Sequence, residues 1–274
     1  RDPGHHHSPV AQRMIEQLFF HGASVPVVRS ALLPAVAPGL VFGLSTRLGG
    51  ESGASFGMNL SFRVGDEERA VRGNRDRFFG ALGVDPARLA IPSQVHGDVV
   101  LVASEPGSYA ACDGLVTRSD EVFLAVTVAD CVPVFVVDPV ARAVGAFHAG
   151  WRGACAGIVA KGMALLGERC GADPSRSYAV VGQSAGACCY EVGEEVAAQF
   201  EPRFVVRRPL VKPTLDLHAH ARAALEAAGV PGSRIEMLTE CTICHPGEYH
   251  SCRRDAERSG RMMGVIGYGA PARR

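Results

Sequence analysis

The sequence predicts an α/β fold: a single domain in which mixed central β-sheets are covered by helices. Several candidate strands are apolar along their whole length, so other layers of structure must cover both of their faces. Candidate strands also outnumber candidate helices, and Asp138-Pro139 is a tight turn that joins two strands directly. Direct joining of this kind indicates mixed rather than purely parallel pairing.

Two sequence patterns locate the individual elements. Helices are predicted where apolar residues recur at three- and four-residue spacing, in segments 67–82, 154–168, 190–200 and 215–228. Strands are predicted where short runs are apolar and rich in β-branched residues. These runs are 40–45, 99–103, 122–128, 132–137, 143–147, 179–181, 235–238 and 262–266.

The division of the chain follows from its linkers and its first residues. No long linker interrupts residues 40–268, so one domain is predicted over residues 38–270. Residues 1–37 are assigned to an N-terminal tail with a short helix. His5, His6 and His7 are typical of a tag or extension, so they are excluded from every site argument.

Charge and hydropathy exclude several function classes. Lys plus Arg and Asp plus Glu each number 28, so nothing favours binding to nucleic acid or to an anionic membrane. No apolar run approaches the roughly 20 residues that cross a bilayer, and no signal-peptide pattern is present. A cytoplasmic protein is therefore expected. Its nine cysteines are expected to be reduced, as buried apolar residues, metal ligands or nucleophiles.

Three short motifs carry the residues best suited to chemistry, and each lies where a predicted strand begins or ends. Taken singly, His96 and His148 are more simply explained as hydrogen-bonded structural residues, and Cys131 as a core residue. Taken together, two imidazoles and one thiolate form a ligand set of catalytic zinc, which leaves a fourth position open. The motifs are Ser93-Gln94-Val95-His96-Gly97, Ala129-Asp130-Cys131-Val132-Pro133 and His148-Ala149-Gly150-Trp151-Arg152-Gly153.

The second and third of these motifs strongly resemble the YfiH family, whose members carry the names laccase domain and multicopper polyphenol oxidase. The resemblance extends from about residue 40 to residue 266, with further motifs in the family's order. Two departures are present: Gly182-Gln183 replaces a Gly-Pro pair, and His250 and Cys252 replace an aromatic residue and a tyrosine. The further motifs are Ser45–Gly50, Met58–Leu60, Val64–Asp66, Asn74-Arg75, Gln94–Gly97, Asp113–Thr117, Cys189–Gly193, Leu215–Leu217, Cys241-Thr242, Ser251–Asp255 and Gly260-Arg261.

The resemblance implies a single α/β catalytic domain with Zn²⁺ held by His96, Cys131 and His148. It implies phosphorolysis of adenosine, inosine, guanosine or methylthioadenosine to base and sugar 1-phosphate, with adenosine deamination as a related activity. The expected partners are a purine nucleoside and phosphate. The sequence does not indicate an oligomeric state.

Further residues receive candidate roles from this hypothesis. Asp130 is a candidate proton acceptor or ligand orienter. Arg47, in a glycine-rich loop, and Arg152, near a helix start, are candidate contacts for an anion. Asn59 and Gln94 are candidates for binding polar atoms of the sugar or base.

Other functions remain open from the sequence. Copper could occupy the same three ligands, as in a copper-dependent polyphenol oxidase, but outside the tail only His218-Ala219-His220 has the His-X-His form of multicopper sites. Editing of peptidoglycan precursors and a non-catalytic zinc protein are further alternatives. Cys241, Cys244 and His245, followed by His250 and Cys252, resemble a second zinc module, although cysteines that support a loop explain them more simply.

Overall fold

A computed structural model describes residues 15–269, which form a layered arrangement of strands and helices. The strands of the described chain are β1 Ile15–Phe20, β2 Ala23–Val28, β3 Leu40–Ser45, β4 Leu89–Pro92, β5 Val100–Val102, β6 Gly107–Tyr109, β7 Gly114–Thr117, β8 Phe123–Val128, β9 Val132–Asp138, β10 Ala143–Ala149, β11 Tyr178–Val181, β12 Val205–Val206, β13 Thr214–Leu215, β14 Ile235–Met237 and β15 Met262–Tyr268. The helices are α1 Leu33–Val36, α2 Glu68–Leu82, α3 Trp151–Cys155, α4 Ile158–Cys170, α5 Glu194–Ala197, α6 Leu217–Ala227 and α7 Cys252–Asp255.

Two large sheets organise the fold. One has the strand order β1-β2-β3-β15-β8-β4-β6 and the other β14-β11-β9-β10-β7-β5, while β12 and β13 form a small separate pair. Most neighbours are antiparallel, but β4 pairs in parallel with β6 and β8, β5 with β7, and β11 with β14. The predicted α/β class with mixed sheets is confirmed.

Successive side chains of the central strands point to opposite faces of the sheet, and this alternation explains the layers. In β9, Val134 and Val136 belong to the core shared with α4 and α6, whereas Phe135 and Val137 belong to the core between the two sheets. Both faces of this strand are therefore buried, as its uninterrupted apolar sequence requires. Helix α2 covers the outer face of the other sheet through Phe78 and Phe79.

The predicted helices are confirmed in part. Segments 67–82 and 215–228 match α2 and α6 closely, but segment 154–168 is divided between α3 and α4 at Gly157, whose φ is +84°. Of the helix predicted over 190–200, only Glu194–Ala197 is helical, so the prediction is wrong after Ala197 and also before Glu194. There Glu191 instead forms a β-bridge with Thr214, and Val192 donates to the carbonyl of Pro213.

Every predicted strand is present within a few residues, and the structure adds β1, β2, β4, β6, β7, β12 and β13. Strands β1 and β2 form an antiparallel hairpin that joins β3, and the short helix α1 follows β2. Residues 1–14, including the three tag-like histidines, lie outside the described residues, and the boundary at residue 38 stays a prediction. Among the helices of residues 15–269, none is both long and apolar enough to cross a membrane. The cytoplasmic location stays a prediction.

Candidate metal centre

Three segments far apart in sequence meet at one end of the second sheet. Cys131 immediately precedes β9, and His148 lies near the end of β10, opposite Pro133 in the antiparallel pair. His96 comes from the loop between β4 and β5. One ligand atom from each of His96, Cys131 and His148 lies within 4.8 Å of the other two. The side chains predicted to converge are therefore within reach of a shared metal ion.

Two glycines of the third motif let its backbone approach the other segments. A Cβ atom at Gly150 would lie 3.1 Å from Cys131 Sγ and 3.3 Å from His96 Cδ2. A Cβ atom at Gly153 would lie 2.4 Å from the carbonyl oxygen of Gly97, which is closer than real contacts allow. The small residues around His148 thus keep the ligand segments close together.

Asp113 holds the loop that carries His96. Its carboxylate is buried and accepts hydrogen bonds from the backbone N–H groups of Val95, His96 and Gly97, at 3.1, 2.9 and 2.8 Å. His96 has a φ of +61°, a left-handed conformation that is costly for a residue other than glycine. The three hydrogen bonds to one carboxylate offset that cost and fix the direction of the imidazole.

Asp113 also orients the second imidazole. Its Oδ1 lies 2.8 Å from His148 Nδ1, and both side chains are almost fully buried. A carboxylate cannot donate, so Nδ1 carries the proton and Nε2 is left for Cys131 or a metal. The two imidazole rings meet edge to face with centroids 5.0 Å apart. A carboxylate that fixes the tautomer of a histidine is the usual support of a metal ligand.

The electrostatics of the cluster favour a thiolate at Cys131. Burial raises the pKa of this thiol, but the charge of His148 and hydrogen bonds from both imidazoles outweigh burial and lower it to about 6. The same pairing, together with Asp113, overcomes the effect of burial on His148 and raises the pKa of that imidazole. A divalent cation at this centre would replace the proton of His148 as the positive partner of the thiolate. The donor set therefore fits zinc or copper.

The cluster forms part of the wall of a cavity of about 500 Å³. The cavity has an apolar part that includes Phe79, Leu89 and Ile91, and it also has three arginines in its wall, Arg63, Arg75 and Arg261. A pocket of this size, with apolar walls and a few convergent polar groups, is typical of a site for a small molecule.

Two of the remaining predicted residues lie close to the metal cluster. Gln94 lines the cavity, and its amide is fixed by Thr127, whose N–H and hydroxyl donate to Oε1 and whose carbonyl accepts from Nε2. Asp130 is buried beside Cys131, but its carboxylate accepts from the Thr242 hydroxyl at 2.6 Å and from the Arg253 N–H at 2.7 Å. These two contacts hold a C-terminal loop rather than a metal ligand.

The other predicted substrate contacts are not among the residues that line the cavity. Arg47 donates to the carbonyl oxygens of Pro246, Ala54 and Ser55. The buried amide of Asn59 donates to Ser61 O and Asp66 Oδ2 and accepts from the N–H groups of Ser61 and Arg261. Arg152 is exposed, and its guanidinium lies over the ring of Trp151 at 4.3 Å.

Sequence reasoning missed four residues of this site. Asp113, Arg75 and Arg261 stand in the motifs that carry the family resemblance, yet nothing in their spacing distinguishes them from structural or surface residues. Arg63 stands between two of those motifs. The one available signal for Asp113, Arg75 and Arg261 was their place within those motifs.

A family model described as "Multi-copper polyphenol oxidoreductase laccase" matches residues 41–269. The chain belongs to this laccase-like family. The resemblance predicted from the motifs is thereby confirmed over most of the chain.

Individual relatives in the laccase-like family carry enzyme names. "Purine nucleoside phosphorylase YlmD" of Geobacillus stearothermophilus is 38% identical over 247 residues, covering 84% of this chain and 90% of the relative. "Purine nucleoside phosphorylase" of Deinococcus radiodurans is 40% identical over 228 residues, covering 81% and 87%. "Adenosine deaminase RL5", from an unknown prokaryotic organism, is 37% identical over 226 residues, covering 76% and 85%. These names support enzyme activity in the family.

Solved structures show the same fold. The crystal structure of YlmD from Geobacillus stearothermophilus has a TM-score of 0.84 and 34% identity, covering 93% of this chain and all of the other. A Bacillus licheniformis protein, YfiH, has a TM-score of 0.82 and 30% identity, covering 91% and 98%. The laccase-like fold is therefore shared across nearly the whole described chain.

Proposed function

We propose that this member of the laccase-like family is a zinc-dependent purine nucleoside phosphorylase. The observation that carries the proposal is the combination of a thiolate and two imidazoles with three cavity arginines. Within residues 15–269, no carboxylate forms a salt bridge with Arg63, Arg75 or Arg261. Guanidinium groups without acidic partners, gathered in one concave pocket, favour an anionic ligand such as phosphate.

Among the described residues, each of these three arginines uses one side-chain nitrogen in the hydrogen bonds that anchor it. Arg63 Nη2 donates to Ser93 Oγ, Arg75 Nε donates to Leu60 O, and Arg261 Nη1 donates to the carbonyls of Ser259 and Gly260. A guanidinium has five N–H donors, so donors remain for phosphate. Burial, followed by the charge of Arg72, lowers the pKa of Arg75 to about 10, which leaves the side chain charged at neutral pH.

His96, Cys131 and His148 would hold the zinc ion, which supplies a Lewis acid able to polarise an oxygen or to lower the pKa of bound water toward about 7. Asp113 keeps the proton of His148 on Nδ1 and so keeps Nε2 available as a ligand. The apolar part of the cavity would receive the purine. The arginines would hold phosphate against the sugar.

Phosphorolysis then balances without an additional reactant. An oxygen of hydrogen phosphate forms a bond to the anomeric carbon, and the bond from that carbon to the purine nitrogen breaks. The purine leaves with the electron pair and takes up the proton that hydrogen phosphate loses. Phosphate held by arginines is positioned for this attack, and positioning alone is able to supply a large share of a rate enhancement.

Adenosine deamination is the second candidate, because one relative in the family is named as an adenosine deaminase. In that reaction water replaces phosphate, adds at the purine carbon that bears the amino group, and ammonia leaves. The two reactions share the nucleoside pocket but differ in their need for phosphate. Peptidoglycan-precursor editing and a non-catalytic role stay as alternatives with no supporting contact in the structure.

Copper-dependent polyphenol oxidation is disfavoured by the metal-ligating side chains. Among the described residues, groups of three or more close candidate ligands are His96 with Cys131 and His148, and a set of four cysteines. Neither is a multi-histidine cluster of the kind that several coppers need. His218 and His220 also diverge, since His218 lies against Ser184 and Gly182 while His220 lies between two phenylalanine rings.

The test is release of hypoxanthine from inosine by zinc-loaded protein, with and without phosphate. We expect phosphate-dependent formation of hypoxanthine and ribose 1-phosphate in equal amounts. Cys131→Ser should abolish it. Adenosine converted to inosine without phosphate would favour deamination, and no product from any purine nucleoside would refute the proposal.

A matched pair of arginine variants tests the phosphate site. Arg75→Gln should raise the KM for phosphate about 10- to 100-fold, because a charge-assisted hydrogen bond contributes about 1.5–3 kcal/mol. Arg77→Gln is the control, since Arg77 lies on the same helix but pairs with Glu51 at 2.7 Å. Equal effects of the two substitutions would contradict the assignment.

A further inference from the structure

A second group of potential metal ligands lies in two loops of the same sheet. Cys188 and Cys189 lie in the loop that follows β11, and Cys241 and Cys244 lie in the loop that follows β14. Because β11 and β14 are parallel neighbours, their carboxyl ends bring these loops together. The loops are joined by a β-bridge between Ser184 and Cys241 and by a 2.9 Å hydrogen bond from the Thr242 N–H to Ser184 O.

The four sulfur atoms are spaced as a tetrahedral metal site requires. All four lie within 4.8 Å of one another. Cys244 Sγ lies 3.3 Å from Cys189 Sγ and 3.6 Å from Cys188 Sγ. A tetrahedron with sulfur atoms about 2.3 Å from its centre has edges of about 3.8 Å, so a zinc ion fits with only small movements of the side chains.

The backbone around Cys241 favours a negatively charged sulfur. The Gly186 N–H donates to Cys241 Sγ at 3.2 Å, and the amides of Ile243 and Cys244 interact with the same sulfur. Amides gathered around the first cysteine of a Cys-X-X-Cys turn stabilise the thiolate that a metal needs. A Cβ atom at Gly186 would lie 3.2 Å from the Cys241 Cβ, so glycine permits the close approach of the two loops.

We propose that Cys188, Cys189, Cys241 and Cys244 bind a structural zinc ion. This ligand set replaces the C-terminal module suggested by the sequence. His250 is buried elsewhere and Cys252 lines the cavity, while His245 directs Nδ1 to the carbonyl of Cys241. Four protein ligands close the coordination shell, as in structural rather than catalytic zinc sites.

The position of the tetrathiolate site suggests what the zinc stabilises. Thr242, between two of its cysteines, donates its hydroxyl to the buried carboxylate of Asp130. Asp130 precedes Cys131, so the zinc would fix a loop that packs directly behind the catalytic centre. One zinc ion would use all four sulfurs in their reduced form, whereas two separate disulfides would be needed to use them all. The zinc would stabilise this loop whichever reaction the first metal centre catalyses.

The deciding experiment measures zinc in the Cys131→Ser protein, in which the first metal centre has lost its thiolate. We expect about one zinc per chain, with X-ray absorption showing four sulfur neighbours at about 2.3 Å. Absence of metal, iron in place of zinc, fewer than four sulfur neighbours, or a disulfide within the cluster would each overturn the proposal. Loss of nucleoside activity with this zinc retained would leave the proposal standing.

Cysteine variants in the same background separate the cluster from other thiols. Adding Cys244→Ser should reduce the zinc content from about one per chain to near zero. Adding Cys155→Ser should leave it unchanged, because Cys155 is exposed and lies beside Gln199, away from the cluster. Should Cys244→Ser fail to fold, thiol titration of Cys131→Ser before and after chelation replaces it. The four thiols should react only after chelation, and equal reactivity in both states would overturn the proposal.

Discussion

Replacement of Asp113 by asparagine tests how the candidate metal ligands are held. Each carboxylate oxygen serves two donors: Oδ1 faces the His96 N–H and His148 Nδ1, and Oδ2 accepts from the N–H groups of Val95 and Gly97. Asparagine keeps the shape but turns one oxygen into a donor. Whichever way the amide is oriented, two donors then face an NH₂ group instead of an acceptor.

The size of the effect follows from those two lost acceptors. An unpaired donor costs about 1–3 kcal/mol when it is buried. These backbone donors are only partly buried, so Asp113→Asn should lower the free energy of unfolding by about 1–3 kcal/mol in total. If the NH₂ group faces His148, the ring must place its proton on Nε2 and loses its ligand nitrogen. Loss of a residue that orients a metal ligand typically costs about 10- to 100-fold in metal affinity or activity.

Zinc affinity and phosphorolysis rate should therefore be measured beside unfolding by urea. Asp138→Asn is the matched control, because Asp138 is also buried and accepts from Val140, Ala141, Asp173 and Arg176, far from the metal centre. It should lose comparable stability while retaining zinc affinity. Unchanged zinc affinity in Asp113→Asn, or equal losses of affinity in both variants, would refute the reasoning.

Three further substitutions have defined outcomes. Burial and then the charge of Arg47 lower the pKa of His250 to about 3, and its ring has no hydrogen-bond partner among the described residues. Stability should therefore fall by about 2 kcal/mol between pH 7 and pH 5, because only the unfolded histidine takes up a proton. Urea unfolding at both pH values should show that His250→Phe no longer has this loss. Gly150→Ala should weaken zinc binding about tenfold by placing a methyl group against Cys131, whereas Gly53→Ala, with no atom within 4 Å of the added carbon, should not. Asp130→Asn should lower the unfolding temperature but keep kcat within about tenfold, since a proton acceptor would contribute about 10²- to 10⁴-fold; a larger loss of kcat in a folded, zinc-bound protein would make Asp130 that acceptor.

The sequence predicts the part of the site that is built from two strands adjacent in the chain. His148 ends a buried strand and Cys131 begins the neighbouring one, so the antiparallel pair of β9 and β10 necessarily brings them together. The layered class follows equally directly, because strands that are apolar on both faces need cover on both sides. Both features follow from short apolar segments and from the order in which they occur along the chain.

The residues that sequence reasoning misplaced depend on contacts between loops. Arg47 stands among glycines, a setting that suits an anion site, but three backbone carbonyls accept its donors. The segment from residue 190 has helical spacing because Val192, Val196 and Phe200 all fill the same core. A loop with a single helical turn buries these residues as well as a continuous helix would. Patterns of apolar residues report burial more reliably than backbone conformation.

Two buried aspartates explain how the metal centre tolerates strained backbone. His96 and Asp130 both have positive φ, at 61° and 85°, and strain of this kind persists only where the surroundings fix it. Asp113 ties the His96 loop to His148, and Asp130 ties the backbone beside Cys131 to the loop of Thr242. Each carboxylate joins segments that the sequence separates, so the ligands are positioned by the fold before any metal binds. A preorganised site of this kind would bind its ion without a large rearrangement, so selection among metals would depend on both the ligand types and their fixed geometry.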